Sequence, residues 1–527
     1  MYTRRASLSV APIKDHPPSS PLAYLLQAYR RIPPPLVLLI GVTIGLLVAR
    51  LIFPSADTGS QWSGGSGATK LRADHRPAGR RSVQMPTFDQ RRRVLELLTH
   101  LSAHHTRECM RESQPQYVHQ AHQRYAPLIG HAPPPRRSFP WSEPEPIEIQ
   151  KQRRRAEVAA RQHKYFFAIN LYNSFDVIPD IFSTMFRVGA ILGYHNVFVS
   201  IYENGSKDQT KALLRIFDAL TRSVGMRVVI RTSQRTRGQF NHRIEYLAEV
   251  RNSALVPLHE QRDNEGEVFD SVIFMNDILP CVDDLLELIW QSRHQNAGLT
   301  CAADYMFHDE LNTPVFYDNW VARDINGTAL ENAPFEHVFH HPESSRRFQV
   351  HLPVQVQSCW NGIAILDPAP LYGAPHVRFR MAKLSQGECS ASECSLIGND
   401  YWNAGYGRII MVPRVKLAYD KKVYDIIHPK RQNLTAIRNY VRIGGLADDP
   451  RADPQDRTWF GPHDRLFIEE EADKVDFKPG PEYVWCWGWD GAGDLDGPDV
   501  DPIWEKMDEK STSGGSVEVK HDRSLDL

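Results

Sequence analysis

Between residues 164 and 420, short apolar runs alternate with amphipathic stretches, and this alternation restricts the possible folds more than any other feature. Residues 165–171, 195–202, 226–231, 269–275 and 299–305 are rich in branched and aromatic side chains and have strand length. Residues 178–192, 211–224, 243–259 and 282–294 have helical spacing; in the third, Ile244, Leu247, Val250, Ala254 and Leu255 form one stripe. Pro179 stands in the first turn of its helix, where a missing N–H costs nothing. Strands alternating with helices predict an α/β fold with a mostly parallel sheet covered on both faces.

In such sheets ligands bind beyond the carboxyl ends of the strands. The ends read here are polar and acidic. The first strand runs out at Asn170-Leu171-Tyr172-Asn173, where an aromatic can stack on a base and amides can bond its edge. The second runs into Glu203-Asn204-Gly205-Ser206-Lys207-Asp208. There Glu203 offers acceptors to a ribose or base, Gly205 permits a tight turn, and Ser206 either contacts ligand or caps the next helix. The fourth ends at Met275-Asn276-Asp277-Ile278, a carboxylate suited to a hard cation such as Mn²⁺ or Mg²⁺. Arg251-Asn252 lie on the third helix, and a guanidinium grips a diphosphate in bidentate fashion. Together these ends predict a nucleotide-sugar site.

Further on, Trp360-Asn361-Gly362 precede an apolar strand and suit a hexose, through C–H stacking on the indole and amide hydrogen bonds to hydroxyls. Ser392-Glu393-Cys394 supplies an acid that can face the reacting sugar, and His428 is a candidate second metal ligand beside Asp277. The loop 307–326, carrying Asp309, Glu310, Asp318 and Arg323, is expected to shape the acceptor pocket. Cys301, Cys359, Cys389 and Cys394 are candidates for disulfides in an oxidising compartment, with connectivity open. No CxxC pair occurs, which argues against a zinc ribbon.

The ends of the chain have other compositions. Residues 36–53 form an apolar segment of bilayer-spanning length preceded by Arg30 and Arg31. A single-pass signal-anchor is expected there, with residues 1–35 as a disordered cytosolic tail and the body lumenal. Residues 54–163 read as a stem or linker with helices, 164–440 as the catalytic domain, 441–489 as a C-terminal extension and 490–527 as a disordered tail. Sequons at Asn204, Asn326 and Asn433 fit a lumenal body, with Asn204 expected to stay unmodified because it lies in the site. A net charge of −1 lacks the basic field of a nucleic-acid binder, so no nucleic-acid partner is expected.

Residues 167–174, 202–208, 249–252, 275–277, 359–362 and 392–394, in this order and spacing, resemble the fungal, capsule-associated cryptococcal-type α-1,3-mannosyltransferases, glycosyltransferase family 69. The resemblance spans residues 164–424. It implies a GT-A-like fold, type II topology in the Golgi membrane, GDP-mannose as donor, mannan or another mannose-containing glycan as acceptor, a divalent metal, and transfer with retention. Met-Asn-Asp-Ile departs from the Asp-x-Asp of many GT-A enzymes, leaving Asp277 as the main metal ligand. Glu393 corresponds to the acidic position near the acceptor. A non-enzymatic glycan-binding or polysaccharide-export accessory on the same fold is the rival reading. A hydrolase lacks the paired carboxylates it would need.

Overall fold

The structure is a computed structural model that describes residues 124–128, 163–233, 242–428 apart from 335–336 and 374–375, 473–486 and 503–507. The expected anchor at 36–53, most of the stem, the sequon at Asn433 and most of the two tails lie outside the described residues. Among the described residues no helix is long and apolar enough to cross a membrane.

The chain builds β1 (Tyr165–Leu171), α1 (Ile178–Leu192), β2 (Val197–Asn204), α2 (Thr210–Ser223), β3 (Arg227–Ser233), α3 (Arg243–Glu265), β4 (Ser271–Met275), α4 (Val282–His294) and β5 (Leu299–His308). There follow β6 (Thr313–Phe316), β7 (Arg323–Asp324), α5 (Pro342–Gln349), β8 (Val354–Ser358), β9 (Ile363–Leu366), α6 (Ala369–Tyr372), α7 (Glu393–Asn403), β10 (Ile409–Ala418) and α8 (Lys421–Ile427). A hairpin of β11 (Tyr483–Cys486) and β12 (Ile503–Lys506) closes the described chain.

One sheet has the order β3-β2-β1-β4-β9-β5-β10-β8-β7, with β6 on β5. Its first four strands are parallel, as expected. The mostly parallel expectation fails beyond β4: β9 inserts antiparallel between β4 and β5, and only β5–β10 is parallel in the second half. The sheet is mixed. The four-residue β9 enters from the turn at Asn361-Gly362, and local alternation carries no information on which strand a short run will join.

Both faces are covered because successive side chains alternate across the sheet. Phe166 and Ala168 of β1 and Val272 and Phe274 of β4 pack in a core with α3 and α7. Phe167, Ile169, Ile273 and Met275 pack in a second core with α1, α2 and α4. The register aligns Leu171 with Glu203 and Ile169 with Met275, so the tips of β1, β2 and β4 share one edge.

Parts of the presumed linkers belong to the body. Arg124 donates to Glu287 on α4 at 2.6 and 2.7 Å and to Asp473 at 2.7 Å, while Arg414 of β10 reaches Asp473 at 2.6 Å. All four side chains are buried. Residues from the stem and from the C-terminal extension are therefore clamped onto the sheet. Cys301 is bonded to Cys359, tying β5 to the turn before β9. Cys389 is bonded to Cys486, a partner outside the candidate set, and Cys394 is a buried free thiol.

Candidate active site

The loops after β1 and β2 are laced together. Asn173, with φ of 51°, donates its N–H to Ser206 Oγ at 2.9 Å and accepts from Lys207 N at 2.8 Å. Ser206 is thus engaged by the neighbouring loop; Asp208 Oδ1 instead accepts from Thr210 N at the start of α2. Asp208 also accepts from Phe175 N at 3.1 Å, and although burial opposes it, these hydrogen bonds hold its carboxyl below the ordinary value. Glu203 is fully buried: Oε1 accepts from Ser206 N, and Oε2 lies 3.7 Å from Lys211 Nζ with no hydrogen-bond partner. Tyr172 is exposed at the mouth, and Asn204 donates to Tyr246 at 3.3 Å. Asn170 donates to Val250 O at 3.1 Å and keeps Oδ1 unpaired.

At the tip of β4, Asp277 accepts from Ser174 Oγ at 3.1 Å. Burial pushes its carboxyl above the ordinary value, against that hydrogen bond and the Arg251 charge. Asn276 is the hub: Oδ1 accepts from Arg251 at 3.0 Å and from the Trp360 indole at 3.4 Å, while Nδ2 donates to Tyr419 at 3.1 Å. Arg251 Nε donates to Glu393 Oε1 at 2.8 Å, and the guanidinium lies 4.6 Å from the Trp360 ring centroid and 5.5 and 5.6 Å from those of Phe274 and Phe379. Desolvation opposes its charge, yet the Cys394 and Glu393 environment raises its pKa, so it stays a cation. Two strand tips, α3, the β8–β9 turn and the N-terminus of α7 thus converge on one box.

Asn252 does not point into that box. Its amide exchanges hydrogen bonds with the backbone of Phe379 at 2.8 and 3.1 Å, a clamp on the 377–382 loop. His428 is engaged by its own surroundings: its Nε2 meets the carbonyl of Lys416 at 2.8 Å, so that nitrogen carries the proton, and its ring stacks on Tyr424. That nitrogen is therefore tied to β10. Among the described residues the group of three possible ligands within 4.8 Å is Cys389, Cys486 and Glu505, and two of these are a disulfide.

Beside the box lie two acids in contact with the Trp-Asn-Gly turn. Asn361, fully buried at φ 54°, donates Nδ2 to Asp304 Oδ1 at 2.7 Å and its N–H to Asp318 Oδ2 at 3.3 Å. Asp318 N donates to Asp304 Oδ1 at 3.3 Å. Burial, then the Asp318 charge, pushes Asp304 up to about 8. Gly362 follows at φ 81°, its carbonyl accepting from Asn276 N at 2.9 Å; an added Cβ would sit 2.2 Å from Ile278 Cδ1. Asp318 lies in the loop expected to shape the acceptor pocket. Asp304, Ser174 and Tyr419 were not foreseen; an acid in the Ala302-Ala303-Asp304-Tyr305 run of a core strand was the available signal for the first.

Residues 164–400 match the family described as Cryptococcal mannosyltransferase 1. An α-1,3-mannosyltransferase of Cryptococcus neoformans var. neoformans serotype D is 33% identical over 297 residues, covering 53% of this chain; the chain spans 63% of that relative's length. Among solved structures, matches include the mannosyltransferase PcManGT of Pyrobaculum calidifontis, in complex with GDP-Man and Mn²⁺, at 12% identity over 70% of this chain and 79% of that one, with a TM-score of 0.30. S. aureus TarS in complex with UDP is 13% identical over 48% and 60%, with a TM-score of 0.29.

Proposed function

We propose, from the premise that residues 164–400 of this chain belong to the cryptococcal mannosyltransferase family, that the protein transfers mannose from GDP-mannose to a hydroxyl of a mannose-containing glycan, forming an α-1,3 linkage with retention. The observation that carries this reading is the box itself. A buried cation, Arg251, is held between Glu393 and Asn276 next to Asp277, at the carboxyl tips of parallel strands. The reading includes a GT-A-like fold, and a lumenal body held at the Golgi membrane by the segment 36–53.

Glu203, Asn204, Asn170 and Tyr172 border the side of the edge assigned to the nucleoside. Oδ1 of Asn170 and Oε2 of Glu203, which has the Lys211 ammonium at 3.7 Å but no hydrogen bond, are acceptors for ribose hydroxyls or base N–H groups. Asp277 fits a divalent cation, Mn²⁺ or Mg²⁺: burial leaves its carboxylate short of compensating charge, and oxygen is the donor such ions prefer. Bound there, the ion would neutralise charge developing on the leaving diphosphate. Arg251 adds positive charge to the same region and orients Glu393. Glu393, hydrogen-bonded to the guanidinium, is placed to stabilise positive charge on the reacting sugar or to orient the incoming hydroxyl. Trp360 and the Asn361–Asp304–Asp318 group border the sugar side.

The test is turnover of GDP-mannose by the full chain with Mn²⁺ and mannobiose. GDP release with formation of an α-1,3-linked trisaccharide is expected. Folded protein that releases no nucleotide from any nucleotide sugar would remove the reading.

A further inference from the structure

Outside the catalytic box, a groove of about 490 Å³ opens between the C-terminal half of α7, the 380–388 segment and β12. Its lining is polar apart from Gly387, Met507 and Trp504, and Trp504 is 49% exposed. Trp485 meets the Trp504 ring edge-on, at 5.1 Å and 83°. An exposed indole steadied by an edge contact is a stacking platform. Around it stand amides. Asn399 Oδ1 is taken by Gln357 at 2.7 Å, which leaves its Nδ2 as a donor, while Asn403 and Gln386 are exposed.

The groove carries charges of both signs, Arg380, Lys383 and Lys506 against Glu388 and Glu505. Arg380 makes bidentate contacts with Glu388 at 2.7 Å and with Asp400 at 2.8 and 2.9 Å. The groove also receives the carboxyl end of α7, whose dipole is negative. A neutral ligand rich in hydroxyls suits such a mixed polar lining. Fixed carboxylates accept from hydroxyls, amides bond them in both senses, and an indole packs on pyranose C–H faces.

We propose that this groove is an accessory saccharide-binding site that holds an oligosaccharide chain of the acceptor away from the reacting end. Its acceptor role rests on the transferase reading. The site is rigidly coupled to the reaction centre. Cys389–Cys486 ties β11 to the segment leading into α7, and Cys389 N donates to Glu505 of β12 at 3.0 Å. The same helix carries Glu393 at its first residue and Asn403 at its last. Their separation along the axis is about 15 Å at 1.5 Å per residue. A chain that engages both ends of this helix must therefore be longer than the sugar at the reacting end alone.

The experiment measures two things on the full chain. Without donor, indole fluorescence is titrated with α-1,3-linked mannopentaose, mannobiose and inorganic phosphate. With donor, KM is measured for the two saccharides. Mannopentaose is expected to quench fluorescence and to have a KM about tenfold below that of mannobiose. Trp504→Ala and, separately, Asn403→Ala, at an exposed helix end, should each remove most of that advantage. Quenching by phosphate instead of pentaose, equal KM values for the two saccharides, or an equal loss with mannobiose in both variants would overturn the proposal. Pentaose binding lost in Trp504→Ala, in protein that turns over no nucleotide sugar, would uphold the groove while removing the transferase reading.

Discussion

Arg251 and Glu393, 142 positions apart, meet through a 2.8 Å hydrogen bond with both side chains largely withdrawn from solvent. Removing one partner of such a pair strands a buried charge. Glu393→Ala should therefore cost about 3–5 kcal/mol in urea unfolding. Replacing both by Met should recover much of that stability with no recovery of turnover. Full turnover in the double variant would show that the pair serves the fold alone.

Asp277 is held above its ordinary pKa by burial and has Ser174 as its side-chain hydrogen-bond partner. Asp277→Asn keeps the shape and removes the charge. Turnover should fall on the order of a hundredfold or more. The rise in melting temperature on adding Mn²⁺ with GDP should disappear, since a ligand stabilises only what it binds. A thermal shift preserved in the variant would move the cation elsewhere.

Gly362→Ala tests the turn that carries Asn361. A positive φ and the 2.2 Å approach of the added Cβ to Ile278 act together. A loss of about 1–3 kcal/mol is expected from the strain and crowding. Because Gly362 O receives Asn276 N, turnover should also fall, with chemical denaturation and kinetics as the paired readouts.

The acids Asp304 and Asp318 predict a pH dependence of stability. Burial, with the Asp318 charge, raises Asp304 to about 8, and burial raises Asp318 to about 6. Unfolded, both ionise near about 4. Between these values the folded state holds protons that the unfolded state has released, so this contribution is complete below about pH 4 and is lost as pH rises through about 8. Asp304→Asn should flatten the decline in urea midpoint between about pH 5.5 and 8.5. An unchanged slope would remove Asp304 as its source.

Arg124 tests the clamp on the sheet. Its guanidinium joins Glu287 and Asp473 and lies 3.9 Å from the Trp290 ring. Arg124→Ala should cost about 3–5 kcal/mol by leaving buried carboxylates under-compensated. A variant beginning after residue 128 should unfold at lower urea than the full chain.

The sequence alone determined the βα alternation, the parallel half of the sheet and the acidic strand ends. Each is local: helix stripes and strand runs are written in nearest-neighbour spacing, and α1 and α4 have the expected bounds. Pairing is not local. That β9 slips antiparallel between β4 and β5, and that Cys389 joins Cys486 across 97 positions, depend on contacts no short window contains. The same holds in the site. Asp277 at a strand end and Arg251 within a helix were legible as residue types, but tertiary packing alone gave Arg251 to Glu393, turned Asn252 to the Phe379 backbone and tied His428 to Lys416. A polar side chain inside a folded protein takes whichever partner burial brings within reach, because leaving it unpaired away from water costs more than any local preference supplies.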